Sequence, residues 1–193
     1  MNMLDQITVV LTNFRPEFAM DAFRSCMAAG VRHIVVSSSA MRPELQAEHE
    51  RMRKLSGRAQ VTFTSIAEDL GCNEMWLRGV KLASADWVML LHDDDKLLPA
   101  FRLAMPKVAA HLLDGKVGFA HWNGAKHGLH GAHATGVQVT LPLPTGVYDS
   151  EMLRVPLLGK NMNLSPVSGL FRREHLIKVL EECEEIKSAF ILR

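Results

Sequence analysis

The amino-acid sequence predicts an α/β fold with a mostly parallel sheet. Five short apolar segments without strict alternation have the pattern of strands buried on both faces. They are residues 7–11, 34–36, 61–63, 87–91 and 117–120. Segments with helical spacing of apolar residues lie between them, and strands that alternate with helices predict right-handed crossovers and a sheet covered on both faces. The 193 residues are enough for a single domain with a sizeable core.

Helices are predicted between the strands and near the end of the chain. The first begins at Pro16, because proline is favoured in the first turn, and ends before Gly30. The others are expected at residues 43–55, 73–83, 99–113 and 174–187. Residues 123–136 contain four glycines and three histidines without a period, which predicts a loop. Residues 137–141 alternate, which predicts a small antiparallel addition to the fold.

Composition and charge exclude several classes of protein. The chain has 22 Lys and Arg against 21 Asp and Glu, a formal net charge of +1, so nucleic acid is not indicated as a partner. Three cysteines without CxxC spacing argue against a disulfide framework or a thiolate zinc site. No apolar run approaches the ~20 residues of a membrane span. From these features we expect a cytoplasmic protein without a membrane segment.

The most informative motif is the run Asp93-Asp94-Asp95, which follows the strand predicted at residues 87–91. Ligands of open α/β sheets bind at the carboxyl ends of the strands. Divalent cations such as Mg²⁺ prefer oxygen ligands and commonly use one or two protein carboxylates together with water and phosphate oxygens. The motif therefore predicts a metal and a phosphorylated ligand. A solvated acidic turn, in which Asp95 caps the next segment, is the structural alternative.

Three sequence blocks together resemble the family 2 glycosyltransferases of the A-type nucleotide-sugar fold. Because each block is short, the order and spacing of the blocks carry the resemblance. It implies a short member of that family with a GT-A-like, Rossmann-like sheet. Residues 1–193 would form one domain, with a donor-binding half at 1–122 and an acceptor-side half at 123–193. The blocks are residues 9–16 (VVLTNFRP), residues 84–95 (SADWVMLLHDDD) with Pro99 beyond, and residues 168–174 (SGLFRRE).

The resemblance implies a set of residues that bind the donor, a nucleoside-diphosphate sugar. Thr12 and Asn13 have a local alternative as caps of the helix that Pro16 opens. A UDP-sugar is the favoured donor, although the family's second strand usually ends in an acid that grips uridine and here ends in serines. An arginine in a helix also has a solvated alternative. The implied donor-binding residues are Thr12, Asn13, Arg15, Ser37, Arg78 and Asp93.

The resemblance also implies a metal site and an acceptor side. Asp94 and Asp95 would hold Mn²⁺ or Mg²⁺, and His92, where another acid is often found, would lie behind them. A zinc site built from glycine-flanked histidines is a weaker alternative, because structural zinc sites favour fixed spacings on ordered elements. The acceptor side would include His121, Trp122, Ser168 and Gly169, and the zinc alternative would use His121, His127, His130 and His133.

The implied activity is that of an inverting glycosyltransferase, which moves a sugar to an acceptor hydroxyl. A general base must deprotonate that hydroxyl. The sequence offers only weak candidates for it, namely Asp149, Glu181 and Glu182, and glutamates on a polar helix more often form a solvated face. One alternative is a catalytically silent module that binds a nucleotide sugar or a partner, and a less favoured one is a nucleotidyltransferase. The acceptor is not identified, and the exposed face of the last helix would allow a homo-oligomer.

Overall fold

A six-stranded sheet forms the centre of the fold. The computed structural model describes residues 3–40, 43–66, 71–113, 115–122, 124–126, 137–139, 146, 148–149, 152 and 169–191. Its strands are β1 (Ile7–Asn13), β2 (His33–Ala40), β3 (Gln60–Ile66), β4 (Trp87–Leu91), β5 (Phe119–His121), β6 (Gly124–Lys126), β7 (Val137–Val139) and β8 (Gly169–Arg172). The main sheet has the order β3-β2-β1-β4-β8-β5, in which β8 is antiparallel to both neighbours. The predicted α/β class with a mostly parallel sheet is confirmed, and so are the five predicted strands.

Helices cover both faces of this sheet. A 3-10 helix (Met3–Gln6) precedes β1, and the α-helices are α1 (Pro16–Ala28), α2 (Pro43–Leu55), α3 (Cys72–Leu82), α4 (Ala100–Leu113) and α5 (Arg173–Ile191). All five predicted α-helices are therefore confirmed. Gly30 adopts a φ of +80° just after α1, a left-handed conformation that glycine accepts without strain. Among the described residues no helix is long and apolar enough to cross a membrane.

Two apolar clusters attach the helices to the sheet. The larger packs α1, α2 and α4 on one face, where Phe23 and Met52 are fully buried. The smaller packs α3 and α5 on the other face through Val80 and Leu176. Burying one such side chain contributes about 1.5–3 kcal/mol. The alternation of strand residues between the two clusters explains why the strands show no polar face in the sequence.

Two short strands differ from the sequence-based expectations. Residues 124–126 form β6, antiparallel to β7, so the predicted loop over 123–136 is wrong for them. The antiparallel strand predicted from the alternation at 137–141 is confirmed at 137–139. The strand β8 was not predicted as a strand, because it has only four residues and begins with Gly169. A Cβ at Gly169 would lie 2.6 Å from Phe119 Cε2, so the glycine allows β5 to approach.

The parallel strands all end at one edge of the sheet, here called the carboxyl edge. The register of β1 with β2 runs to the pair Asn13 and Ser38, and that of β1 with β4 runs to Leu11 and Leu91. The loop that carries Asp93 therefore begins beside the end of β1. This juxtaposition builds the candidate site.

Candidate functional site

A buried aspartate joins the loops that follow β1 and β4. Asp93 is only 3% exposed. Its Oδ2 accepts hydrogen bonds from the backbone N–H of Phe14 at 2.9 Å and of Arg15 at 2.5 Å. Its Oδ1 accepts from the Arg15 guanidinium, through Nε at 3.2 Å and Nη2 at 2.6 Å. Four donors fill both oxygens of the carboxylate, so Asp93 fixes the β1 loop onto the end of β4.

The two following aspartates have different environments. Asp94 has a side chain that is 44% exposed, and its Oδ2 lies 2.7 Å from Arg15 Nη2. Asp95 is partly buried, and this desolvation raises its pKa. The pKa of Arg15 is raised, mainly by its hydrogen bond with Asp93 and to a smaller extent by its hydrogen bond with Asp94. Asp94 is therefore the carboxylate of the triplet that is most open to an external ligand.

Several buried polar atoms near the carboxyl edge have no hydrogen-bond partner among the described residues. Asn13 is fully buried, and both its amide oxygen and its amide nitrogen are unpartnered. The same holds for Ser39 Oγ, the indole N–H of Trp76, and Nε and Nη1 of Arg78. Burial lowers the pKa of Arg78. Because buried polar groups are nearly always hydrogen-bonded, these atoms are candidates to bond with a polar ligand or with water.

The three serines at the end of β2 have three different environments. Ser37 Oγ donates to a backbone carbonyl of α3 at 2.8 Å. Ser38 Oγ lies 2.9 Å from His49 Nε2. Arg78 Nη2 donates to the Ser38 carbonyl and lies 3.5 Å from Ser37 Oγ. The hydroxyl of Ser37, predicted to contact the donor, is thus engaged within the protein, whereas that of Ser39 is not.

Close packing of α3 against β1 brings its polar side chains to this edge. A Cβ at Gly79 would overlap Val10 Cγ1, so only glycine fits without displacing the helix. One turn earlier, the Trp76 ring lies 5.2 Å from the His92 ring, tilted by 56°. Sequence reasoning missed Trp76 as a candidate site residue, and of the three serines it selected Ser37 and not Ser39. The residue types of Trp76 and Ser39 are compatible with a core or a turn, and only the fold shows that their polar atoms lack partners among the described residues.

Thr12, also predicted to contact the donor, has a local role. Its hydroxyl donates to the Leu91 carbonyl at 3.4 Å and is buried. This bond ties the end of β1 to the end of β4. Thr12 therefore supports the loop that carries Arg15.

Three of the predicted acceptor-side residues, His121, Trp122 and Gly169, lie beside one another at β5 and β8. His121 pairs in register with Gly169, which is the first residue of β8. Trp122 is half-buried and packs edge-on against Phe101, with ring centroids 5.6 Å apart. The His121 ring lies 5.9 Å from that of Phe119. These contacts place His121 and Trp122 at the end of a strand that runs parallel to β4.

The weak candidates for the general base lie on exposed surface. Glu181 Oε1 forms an ion pair with Lys81 Nζ at 2.7 Å, between α5 and α3. Glu182 is exposed. Asp149 is also exposed and accepts the backbone N–H of Met152 at 2.8 Å. In the described part of the chain no hydrogen bond or ion pair joins any of the three to Asp94.

Some predicted residues lie outside the described ranges. These are Ser168 and three of the four histidines of the zinc alternative, His127, His130 and His133. Over the residues that are described, no group of three or more His, Cys, Asp or Glu side chains could hold a metal ion. A divalent ion at the carboxyl edge would therefore depend on ligand oxygens as well as on protein carboxylates.

Comparison with known proteins gives matches among solved structures. No protein-family model matches the sequence, and no curated protein matches it. S. aureus TarS 1-349 in complex with UDP-GlcNAc has a TM-score of 0.56 and 16% identity over 87% of this chain and 45% of that one. The mannosyltransferase PcManGT from Pyrobaculum calidifontis, in complex with GDP-Man and Mn²⁺, has a TM-score of 0.52 and 18% identity over 59% of this chain and 34% of that one. The chain has the A-type glycosyltransferase fold.

This A-type fold confirms the fold expected from the resemblance. At such low identities the likeness concerns the fold, and the chain spans less than half the length of either structure. In the A-type sheet of this chain, the carboxyl edge gathers Asp94, Asn13, Arg78 and Trp76. Membership of family 2 stays a prediction.

Proposed function

We propose that the chain binds a nucleoside-diphosphate sugar at the carboxyl edge and transfers the sugar to an acceptor hydroxyl. The observation that carries this proposal is the group of buried, unpartnered polar atoms of Asn13, Ser39, Trp76 and Arg78. They lie on β1, β2 and α3 at the carboxyl edge, the same edge at which Asp94 follows β4. A ligand with both a nucleobase and a diphosphate would supply hydrogen-bond partners for all of them.

The chemistry of each group suggests its part in binding the donor. The Asn13 amide both donates and accepts, as a nucleobase edge requires, and the Ser39 hydroxyl does the same. The unpartnered Nε and Nη1 of Arg78 offer donors to a phosphate oxygen. We place Arg15 at the rim of this site, and the buried Thr12 and Ser37, whose hydroxyls bond within the protein, behind it.

Asp93 acts as a positioning residue in this proposal. Its oxygens are filled by hydrogen-bond donors from the β1 loop, so its expected contact with the nucleotide sugar is replaced by a contact with Arg15. UDP is the favoured nucleotide from the sequence resemblance.

Mn²⁺ or Mg²⁺ fits this site as an ion held largely by the donor's phosphates. Asp93 has no free acceptor position, whereas Asp94 is exposed and would hold the ion, with the partly buried Asp95 behind it. When bound, the ion would stabilise the charge of the departing diphosphate. Arg15 already pairs with Asp94, so Arg15 and the cation compete for one carboxylate.

Transfer with inversion also requires a base on the acceptor side. Of the sequence candidates, Glu181 is held by Lys81. We favour Asp149, an exposed carboxylate within the acceptor-side half. A normal kcat in Asp149→Asn would remove it from the mechanism.

The test is thermal unfolding and calorimetry of the full chain with uridine, guanosine, cytidine and thymidine diphosphates and their sugars, with and without Mn²⁺. A ligand at ~100 times its Kd adds about 2.7 kcal/mol to the unfolding free energy. We expect a shift with one nucleotide that is lost in Arg78→Gln and Asn13→Ala and retained in Arg53→Gln. Asp94→Asn should retain nucleotide binding and lose its Mn²⁺ dependence.

Donor turnover separates the two classes of function. Slow release of free sugar or transfer to an added acceptor by excess protein indicates an enzyme. Binding with no turnover favours the silent module, and pyrophosphate release from a nucleoside triphosphate favours the nucleotidyltransferase. No shift with any nucleotide would contradict the proposal itself.

A further inference from the structure

A cleft of about 580 Å³ lies at the opposite edge of the sheet, where the parallel strands begin. We call it the amino-edge cleft. It is bounded by the 3-10 helix before β1, the end of α1, the starts of β2 and β3, and one side of α4. Since a β-strand rises about 3.3 Å per residue, the seven residues of β1 separate this cleft from the carboxyl edge by roughly 20 Å. The two sites share no residue.

The floor of the amino-edge cleft is apolar and rich in methionine. Met3, Leu4 and Met105 line it and are 5%, 6% and 2% exposed, and Met27 is half-buried beside them. Methionine side chains are flexible and polarisable, so they adapt to apolar bodies of irregular shape. A volume of this size falls within the range of small-molecule sites.

Three arginines, Arg32, Arg58 and Arg102, line the same cleft. Arg32 and Arg58 precede two neighbouring parallel strands, which are joined here by the hydrogen bond from the Gln60 N–H to the Arg32 carbonyl at 2.8 Å. Arg102 on α4 lies over Gly30, with its Cδ 3.7 Å from where a Cβ of Gly30 would be. Among the described residues that line the cleft, none is acidic.

These arginines differ from all others in the described ranges. The other seven each have an acceptor: a carboxylate for Arg15, Arg24, Arg51 and Arg53, and a backbone carbonyl for Arg78, Arg172 and Arg173. Among the residues that the structure describes, Arg32, Arg58 and Arg102 form no ion pair and no side-chain hydrogen bond. Three arginines without an ion pair in the described residues thus line one cleft with an apolar floor.

We propose that the amino-edge cleft binds an amphipathic anion, a molecule with a phosphate head and a single apolar chain. The guanidinium forks match phosphate oxygens in charge and geometry. The apolar chain would lie on the methionine floor, where burial from water is favourable. An anion without the apolar chain would contact only the arginines, and an apolar chain without the anion would contact only the methionine floor.

The test uses monomeric dodecyl phosphate as the probe, added to the full chain labelled with ¹³C at the methionine methyls. We expect the resonances of Met27 and Met105 to shift and that of Met75, on helix α3 at the other face of the sheet, to stay unchanged. Calorimetry should give at least tenfold weaker binding for Arg58→Gln and Arg102→Gln. Inorganic phosphate and dodecanol should each bind at least tenfold more weakly than dodecyl phosphate.

The matched control is Arg24→Gln, which removes an exposed arginine of α1 that is paired with Asp21 and does not line the cleft. It should bind the probe as the unchanged chain does. Equal weakening in Arg24→Gln and Arg58→Gln would overturn the proposal, because a general charge effect would then explain binding. Binding to phosphatidylglycerol vesicles without binding of the monomeric probe would also overturn it, in favour of a membrane-surface contact. Arg58→Lys keeps the positive charge but loses the forked guanidinium geometry. Its affinity for dodecyl phosphate should lie between that of Arg58→Gln and that of the unchanged chain.

Discussion

Replacement of Asp93 by asparagine is expected to destabilise the chain far more than the same change at Asp94. Both oxygens of Asp93 accept hydrogen bonds, on one side from the backbone N–H groups of Phe14 and Arg15 and on the other from the Arg15 guanidinium. An asparagine has only one acceptor oxygen. In either orientation the amide NH₂ faces one of the two pairs of N–H donors, the backbone pair or the guanidinium pair. Only the other pair then keeps an acceptor.

The magnitude follows from the burial of the groups involved. An unsatisfied buried donor costs about 1–3 kcal/mol, and two are created in Asp93→Asn. The Arg15 side chain is 40% exposed and recovers part of the loss by contact with water. We therefore expect a loss of about 2–4 kcal/mol. Asp94 is 44% exposed, and an exposed ion pair contributes about 0–1 kcal/mol, so Asp94→Asn should stay within that range.

The assay is urea unfolding of the unchanged chain, Asp93→Asn and Asp94→Asn, monitored by circular dichroism at a fixed pH near 7. A lower midpoint with an unchanged m-value for Asp93→Asn would report a true loss of folding free energy. A loss below about 0.5 kcal/mol, the usual size of a neutral surface substitution, would refute the assignment of Asp93 as the residue that fixes the β1 loop. An equal loss of unfolding free energy in Asp94→Asn would show that the difference in exposure between Asp93 and Asp94 does not determine how much each contributes to stability.

Three further predictions concern packing, pH and thiol chemistry. Gly79→Ala should lose about 1–3 kcal/mol through overlap with Val10, and most of that loss should disappear when it is made in a Val10→Ala background, as a double-mutant cycle of unfolding energies would show. Burial lowers the pKa of His49 to about 4, below its value near 6.5 in the unfolded chain. The contribution of His49 to stability is therefore complete above pH 6.5 and is lost as the pH falls toward 4. The unfolding free energy of His49→Gln should lack this part of the pH dependence, and a pH profile identical to that of the unchanged chain would contradict the prediction. Burial raises the pKa of Cys26 to about 12, so a thiol reagent should reach the two exposed cysteines in the folded chain and Cys26 only after denaturation.

The fold was largely predictable because its determinants are local and periodic. The strand at 87–91 and the helix at 43–55 were predicted with the same ends that the structure has. The strands β6 and β8 were not predicted, since each has three or four residues and depends on pairing with distant segments. A single domain over residues 1–193, a cytoplasmic location and a homo-oligomer stay predictions.

The candidate site was predictable only as a region. The resemblance grouped Asn13, Arg78 and Asp94 in one donor and metal site, and the fold brings all three to the carboxyl edge. It did not reveal that Ser37 donates to the backbone of α3 or that the Ser39 hydroxyl has no partner in the described residues. Such distinctions depend on the angle at which α3 meets the sheet, and the contact at Gly79 sets how closely the helix approaches.

The aspartate triplet shows why a residue's role follows from its neighbours more than from its motif. Arg15 Nη2 contacts both Asp93 at 2.6 Å and Asp94 at 2.7 Å, but the other three hydrogen bonds between the Arg15 segment and this loop all go to Asp93. A cation that takes Asp94 from Arg15 therefore breaks one contact and leaves the β1 loop in place. The three hydrogen bonds to Asp93 would still hold the loop, so little ordering cost would oppose the ligand. Asp94 is therefore dispensable for folding, whereas Asp93 supports the site by holding the β1 loop and offers no free oxygen to a cation.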